Sequence, residues 1–241
     1  MAERGETHVQ VNRALLDEFA AVLDRLEWDV ALLQEAPPRW FAPLATRTRS
    51  SGVRVLTSRN WFPALQARLA DLNPDLIASS EGGSNQILVR HPGRVLEHRR
   101  LRLALRPERR GMQWTRLDLP RFGRVCVANL HASAGLPERA SREAVAAGQA
   151  ATQFSGDDPL ILGGDFNLRP ALQPEPFATL RERFGLGEPT APRAIDHLLA
   201  RGLQVVERPR RLAPEEREVD DPSGLRIRLS DHAPVVAEFV R

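Results

Sequence analysis

Residues 159–167 read Pro-Leu-Ile-Leu-Gly-Gly-Asp-Phe-Asn. The apolar run is short enough to be a buried strand, and it breaks at two glycines that free the backbone. Side chains on a strand alternate faces, so Asp165 and Asn167 fall on the same side, one an acceptor and the other an amide donor. Before it, Pro137–Phe154 is rich in Ala, Glu and Arg and predicts a helix, with Pro137 tolerated in the first turn. After it, Pro174–Phe184 predicts a shorter helix. A strand between helices that ends in polar groups belongs to a layered fold, where such ends commonly form the site.

The same pattern extends outward in both directions. Leu15, Phe19, Val22, Leu23 and Leu26 recur at spacings of three and four and predict a helix over Asn12–Glu27, with Asn12 as its N-cap. Asp29–Glu35 reads as a buried strand ended by Pro37-Pro38. A strand at 53–56 and a helix over Trp61–Leu72 follow. Strand signals then run through 85–90, 99–105, 113–119 and 124–130, separated by turns, which indicates antiparallel pairing. Strands at 194–199, 203–207, 225–229 and 234–240 complete the set, with a mixed-charge loop near 207–221. The expected architecture is α+β: a four-layer α/β/β/α sandwich, two mostly antiparallel sheets packed face to face with helices outside, in one domain over residues 1–241.

Composition narrows the class. The chain has 241 residues, 42% of them hydrophobic, enough to bury a core and too many for a disordered protein. The lone Cys126 excludes a disulfide framework and a Cys-rich zinc site. All 34 basic residues are Arg, against 31 acidic ones, a bias that a GC-rich genome explains. Overall charge therefore does not mark a nucleic-acid binder. Locally, Arg90 to Arg110 holds eight Arg against Glu97 and Glu108. This cluster reads equally as a phosphate-attracting patch or as a solvated strand face, because Leu101, Leu103 and Leu105 alternate with Arg102 and Arg106. No stretch has the ~18 apolar residues of a membrane span, and the N-terminus has no apolar core, so a cytoplasmic monomer is expected.

Five short segments end in groups that handle metal and phosphate: Gln34-Glu35, Asn129-Leu-His131, Gly163-Gly-Asp-Phe-Asn167, Ile195-Asp196 and Ser230-Asp-His232. Alone, Glu35, Asp196 and His131 read as ordinary strand-end polar residues. Asp231 beside His232 sets a hard oxygen next to an imidazole, which suits a metal-bound phosphate. His197 reads as packing, His8, His91 and His98 as surface residues, and Trp28, Trp40, Trp61 and Trp114 as core or rim packing.

In this order the segments resemble the endonuclease/exonuclease/phosphatase superfamily of metal-dependent phosphoesterases, above all in Gly-Asp-Phe-Asn followed by Ser-Asp-His, with Leu-Gln-Glu upstream. The resemblance spans about residue 14 to the C-terminus. It implies that Glu35 and Asp231 hold Mg²⁺ or Mn²⁺, and that Asp165 positions or deprotonates water or protonates the leaving oxygen. It further implies that Asn167 donates to phosphoryl oxygens, and that His232, held by Asp196, contacts phosphate and moves a proton. His131 is a phosphate contact or general acid, and Asn85 a further phosphate contact. Whether Asp165 or His232 is the base stays open. The activity implied is hydrolysis of a phosphodiester, DNA being the first candidate. A phosphatase, a phospholipase C-type enzyme and a non-catalytic phosphate-binding relative are the alternatives.

One departure stands out. Family members open with a strand ending in Asn ahead of the first helix, whereas here that helix follows MAERGETHVQV. The expectation is a domain N-terminally truncated relative to the family, with the first strand absent and a poorly folded or weakly active chain as the consequence.

Overall fold

The strand Gly123–His131 carries apolar side chains on both faces, so it needs a packed layer on each side. Val125 and Val127 point one way, Cys126, Ala128 and Leu130 the other, and all five are buried. The computed structural model supplies both layers. It describes residues 7–8, 14–57, 83–105, 109–187, 190–220, 224 and 226–241.

In chain order the elements are β1 (Thr7–His8), α1 (Leu16–Arg25), β2 (Val30–Ala36), α2 (Phe41–Arg47), β3 (Ser50–Leu56), β4 (Ser84–Arg90), β5 (Arg94–Ala104) and β6 (Arg110–Leu119). There follow β7 (Gly123–His131), α3 (Pro137–Ser155), β8 (Leu160–Asp165), α4 (Pro174–Phe184), β9 (Asp196–Arg201), β10 (Gln204–Arg211), α5 (Pro214–Arg217), β11 (Glu218–Asp220), β12 (Arg226–Arg228) and β13 (Val235–Val240). A five-stranded sheet has the order β5-β6-β7-β8-β9, with β7 and β8 parallel across α3 and every other pair antiparallel. A three-stranded antiparallel sheet, β2-β4-β3, faces it. Shorter ladders join β10 to β13 and run β1-β12-β11.

Three apolar clusters define the layers. Ile87 and Val89 of β4 meet Leu117, Val125 and Val127 between the two sheets. On the outer face of the larger sheet, Trp114, Leu130, Leu160 and Leu162 pack under Ala140, Ala144, Ala147 and Ala151 of α3 and Phe177 and Leu180 of α4. The alanine stripe lets α3 lie close to the sheet. Ala20 of α1 and Leu44 of α2 cover Leu88 on the outer face of the smaller sheet. The result is the four-layer α/β/β/α sandwich expected from the sequence.

The differences are local. The first helix begins at Leu16, and neither Asn12 nor the expected helix at Trp61–Leu72 lies within the described residues. After Pro37-Pro38 the chain enters a 3₁₀ turn and then α2, which the proline pair hid in the sequence. The supposed loop at 207–221 contains the end of β10, α5 and β11. There the Glu216 carboxylate accepts from the Ala213 N–H at 2.8 Å and from Arg210, so its charges cap a helical turn. The segment ahead of the first helix contributes a two-residue strand, Thr7–His8, parallel to β12.

Leu162 is fully buried between the sheet and its helices. Leu162→Ala should cost about 2–5 kcal/mol in urea unfolding, by lost transfer energy plus a cavity. Leu172→Ala, at a position 68% exposed, should stay within about 0.5 kcal/mol.

Candidate active site

The site grows from a polar staple between the sheets. Asn129 of β7 is fully buried, and its Nδ2 donates to the Leu33 carbonyl of β2 at 3.0 Å and the Gln86 carbonyl of β4 at 2.9 Å. Its Oδ1 accepts from Gln34 Nε2 at 2.6 Å. Directly beyond Gln34 the β2–β4 register shifts, and Glu35 takes a positive φ of 55°. That bulge turns Glu35 out of the ladder, so its carboxylate Oε1 lies 3.6 Å from His131 Nε2 on the other sheet. The Glu35 side chain is 69% exposed, which leaves its oxygens open to a ligand.

The larger sheet supplies a row of residues in register. His131, Asp165 and Asp196 sit opposite one another on β7, β8 and β9. Paired residues share a face, so the three side chains converge at one end of the sandwich. The two glycines before Asp165 have different tasks. A Cβ on Gly163 would meet Leu32 and Leu198 methyls at 2.7 and 2.6 Å, so its absence admits side chains from both sheets. Gly164 has φ +126°, and a Cβ there would lie 2.0 Å from the Leu130 carbonyl oxygen. Close approach of β8 to β7 therefore requires glycine.

Asn167 orients Asp165. Its backbone N–H donates to Oδ1 and its Nδ2 to Oδ2, each at 2.8 Å, while Nδ2 also donates to the Ala132 carbonyl. Asn167 reaches this position with φ 52°, a conformation asparagine tolerates. Burial, and then the negative charge of Asp196, push the Asp165 carboxyl up to about 6. His232 Nδ1 lies 3.1 and 3.0 Å from the two Asp196 oxygens. That hydrogen bond pushes the imidazole up to about 9, with the charges of Asp196, Asp165 and Asp231 adding to it.

Arg110 is a site residue that the sequence showed only as one of eight arginines. It is buried at the start of β6, with Nη1 2.9 Å from His131 Nδ1, in contact with Nε2, and 3.7 Å from Glu35 Oε1. Burial and this guanidinium, with His232 beyond it, drive His131 down to about 3. His131 is then a neutral imidazole at working pH, which favours contact with phosphate over proton donation.

Hard oxygen donors suit Mg²⁺ or Mn²⁺. Asn85 is buried on β4 opposite the Glu35 bulge, and its Oδ1 has no hydrogen-bond partner. It lies on the strand face that carries Ile87 and Val89 toward the other sheet. An orphan carbonyl oxygen on the strand paired with the Glu35 bulge is a hard donor of the kind a cation takes. Ligand atoms of Asp165, Asp196 and His232 also lie within 4.8 Å of one another. In that group His232 Nδ1 is already engaged by Asp196. Asp231 is exposed and outside the group. His197 is packing, as expected: buried against Phe166 and Phe177, with Nε2 on the Leu168 carbonyl. His91 and His98 are exposed, and Trp114 is core.

Comparison with known proteins identifies the class. The Endonuclease/Exonuclease/phosphatase family model matches residues 9–232, and the chain belongs to that family. It is a phosphoesterase of this family, whose members hydrolyse phosphoester bonds and are generally divalent-metal dependent. No curated protein sequence matches it significantly. Among solved structures it is similar to the Bacteroides thetaiotaomicron mannosyl-6-phosphatase, with 15% identity, TM-score 0.69, and coverage of 94% of this chain and 90% of that one. It is also similar to the human Nocturnin catalytic domain with bound sulfate, at 19% identity, TM-score 0.62, and 88% and 80% coverage. Danio rerio TDP2 with a single-stranded DNA product matches at 14% identity, TM-score 0.65, and 94% and 91% coverage.

Two outcomes follow from this geometry. Asn129→Ala strands two backbone carbonyls and the Gln34 amide, and should destabilise the fold by ~3 kcal/mol in urea, more than the ~1 kcal/mol net of one hydrogen bond. In metal-free protein, His232 should titrate near pH 9 by proton NMR. Because its folded pKa lies above the unfolded 6.5, its contribution to stability is complete below about 6.5 and is lost as pH rises through about 9. The Tm gap between wild type and His232→Gln should therefore shrink from pH 6 to pH 10, and a constant gap contradicts the assignment.

Proposed function

We propose that this chain is a divalent-metal-dependent hydrolase of phosphodiesters, with a nuclease-type substrate as the first reading. The observation that carries this is the meeting of Glu35, from the smaller sheet, with the His131–Asp165–Asp196 row and the His232–Asp196 pair of the larger one.

Glu35 and Asp231, with the Asn85 carbonyl oxygen, would hold Mg²⁺ or Mn²⁺, which when bound neutralises charge on the phosphoryl oxygens and eases attack by water. Asp165, fixed by Asn167, accepts a proton from the attacking water. His232 donates its Nδ1 proton to a hydrogen bond with Asp196, which sets its orientation, and its Nε2–H meets the phosphate and passes its proton to the leaving oxygen as the P–O bond breaks. Neutral His131 donates to a second phosphoryl oxygen. Positioning and charge neutralisation are the main demands of phosphoryl transfer, and these groups meet them.

A phosphomonoester of a small molecule is the second reading, favoured by the likeness to a sugar-phosphate phosphatase. Turnover of bis(p-nitrophenyl) phosphate against p-nitrophenyl phosphate separates the two. With Mg²⁺, the diester should be the better substrate and EDTA should abolish turnover. Glu35→Gln, Asp165→Asn and His232→Ala should each lower kcat at least ~100-fold. Turnover that survives EDTA and Glu35→Gln would end the metal-dependent reading.

A further inference from the structure

The row of site residues does not stop at His131. Gly111 of β6 is opposite His131, and Arg102 of β5 is opposite Gly111, so one line of register runs Arg102, Gly111, His131, Asp165, Asp196 across all five strands. A Cβ on Gly111 would sit 2.7 Å from the Leu101 carbonyl oxygen. That position therefore stays without a side chain, and nothing in the row separates Arg102 from His131. Two strand spacings, about 10 Å, divide those two residues. Arg110 lies beside this interval, held against His131 and Glu35.

Charge is sorted along the line. Carboxylates of Asp165 and Asp196 occupy one end, and arginines the other. Leu101 and Leu103 turn inward to the α3-covered core, while Arg100 and Arg102 stand exposed on the opposite face of β5. Arg100 is in register with Gln113 and Asn129, one row along on the same face. Neither Arg100 nor Arg102 has an ion-pair partner among the described residues. An arginine fork matches phosphate oxygens in two parallel hydrogen bonds.

We propose that Arg102 and Arg110, flanking Gly111, form a seat for a second phosphate of the substrate, next to the one being hydrolysed. The inference rests on the phosphodiesterase reading above. The substrate class is then a molecule with at least two phosphates, as in a nucleic-acid chain or a polyphosphorylated small molecule.

The test compares two esters in Mg²⁺: thymidine 5′-(p-nitrophenyl phosphate), and the same ester carrying a 3′-phosphate. Wild type should favour the second in kcat/KM by ~10-fold, the scale of one charge-assisted hydrogen-bonded contact, and Arg102→Ala should remove most of that ratio. The slope of log(kcat/KM) against log salt for the second ester should become shallower by about one counterion in the variant. Equal kcat/KM for the two esters in wild type, or a ratio unchanged by Arg102→Ala, overturns the seat. Competition by an oligothymidylate or by inositol trisphosphate, weakened in Arg102→Ala, identifies which source the seat accepts, and competition by neither overturns it. If neither ester is hydrolysed, the phosphodiesterase reading fails by itself. Calorimetric titration with thymidine 3′,5′-bisphosphate then decides the seat: binding weakened ~10-fold by Arg102→Ala supports it, and binding unaffected by the substitution overturns it.

Discussion

Asn129 holds the two sheets in the alignment on which the site depends. A buried amide can donate twice and accept twice, and three of those bonds here go to the opposite sheet: the Leu33 carbonyl, the Gln86 carbonyl and the Gln34 side chain. Hydrophobic packing by Ile87, Val89, Val125 and Val127 brings the sheets together but does not fix how far one slides along the other. Directional bonds from a fully buried group do, because an unmatched donor or acceptor in that layer costs about 1–3 kcal/mol. The staple is one residue away from Glu35 in sequence and two from His131. A slip at Asn129 would carry both out of reach of each other.

Backbone strain is concentrated at the same place. Non-glycine residues with positive φ among the described residues are Glu35, Arg49 and Asn167, and two of these three belong to the site. Such conformations cost of order 1–3 kcal/mol and persist where the surroundings over-determine them. At Glu35 the Gln34–Asn129 bond and the register shift do so, and at Asn167 the paired bonds to Asp165 do. In each case the strain aims a polar group at the end of the sandwich instead of into the ladder. The five-stranded row and the bulged partner strand are thus complementary: one supplies a fixed line of side chains, the other a carboxylate brought against it.

Much of this was legible in the sequence. The strand signals at 113–119 and 124–130, the helix–strand–helix unit around residues 137–184 and the Gly-Gly-Asp-Phe-Asn segment point directly to the layers and to Asp165 and Asn167. Glu35, His131 and Asp196 stood at strand ends and were found there, while His232 lies in the bend between β12 and β13. Arg110 was not separable from its seven neighbours, because its importance comes from the pairing of Gly111 with His131, and register between strands twenty residues apart leaves no local trace. The two glycines read as one flexible turn, although one of them makes room for leucines from both sheets. Helix α2 was hidden by Pro37-Pro38, which end a strand as readily as they open a 3₁₀ turn. The turn at Pro214–Arg217 looked like a charged loop, since Glu216 and Arg210 stabilise it through contacts that composition does not order.

The electrostatics of the row explain why so many ionisable groups can coexist at one end of a small sandwich. Asp165 and Asp196 repel each other, and burial disfavours the charge on Asp165 further. His232 offsets this by standing as a cation against Asp196. On the other side, Arg110 stands against both Glu35 and His131, so a positive charge flanks the carboxylates at each end. His131, between Arg110 and Asp165, is the one member forced to be neutral. A phosphate arriving over His131 meets positive charge from Arg110 and His232 and negative charge from Glu35, Asp165 and Asp196. Without a cation on the carboxylates that balance repels the anion in part, and with one it attracts it. The charge balance of the side chains fits the divalent-metal dependence general among members of this family.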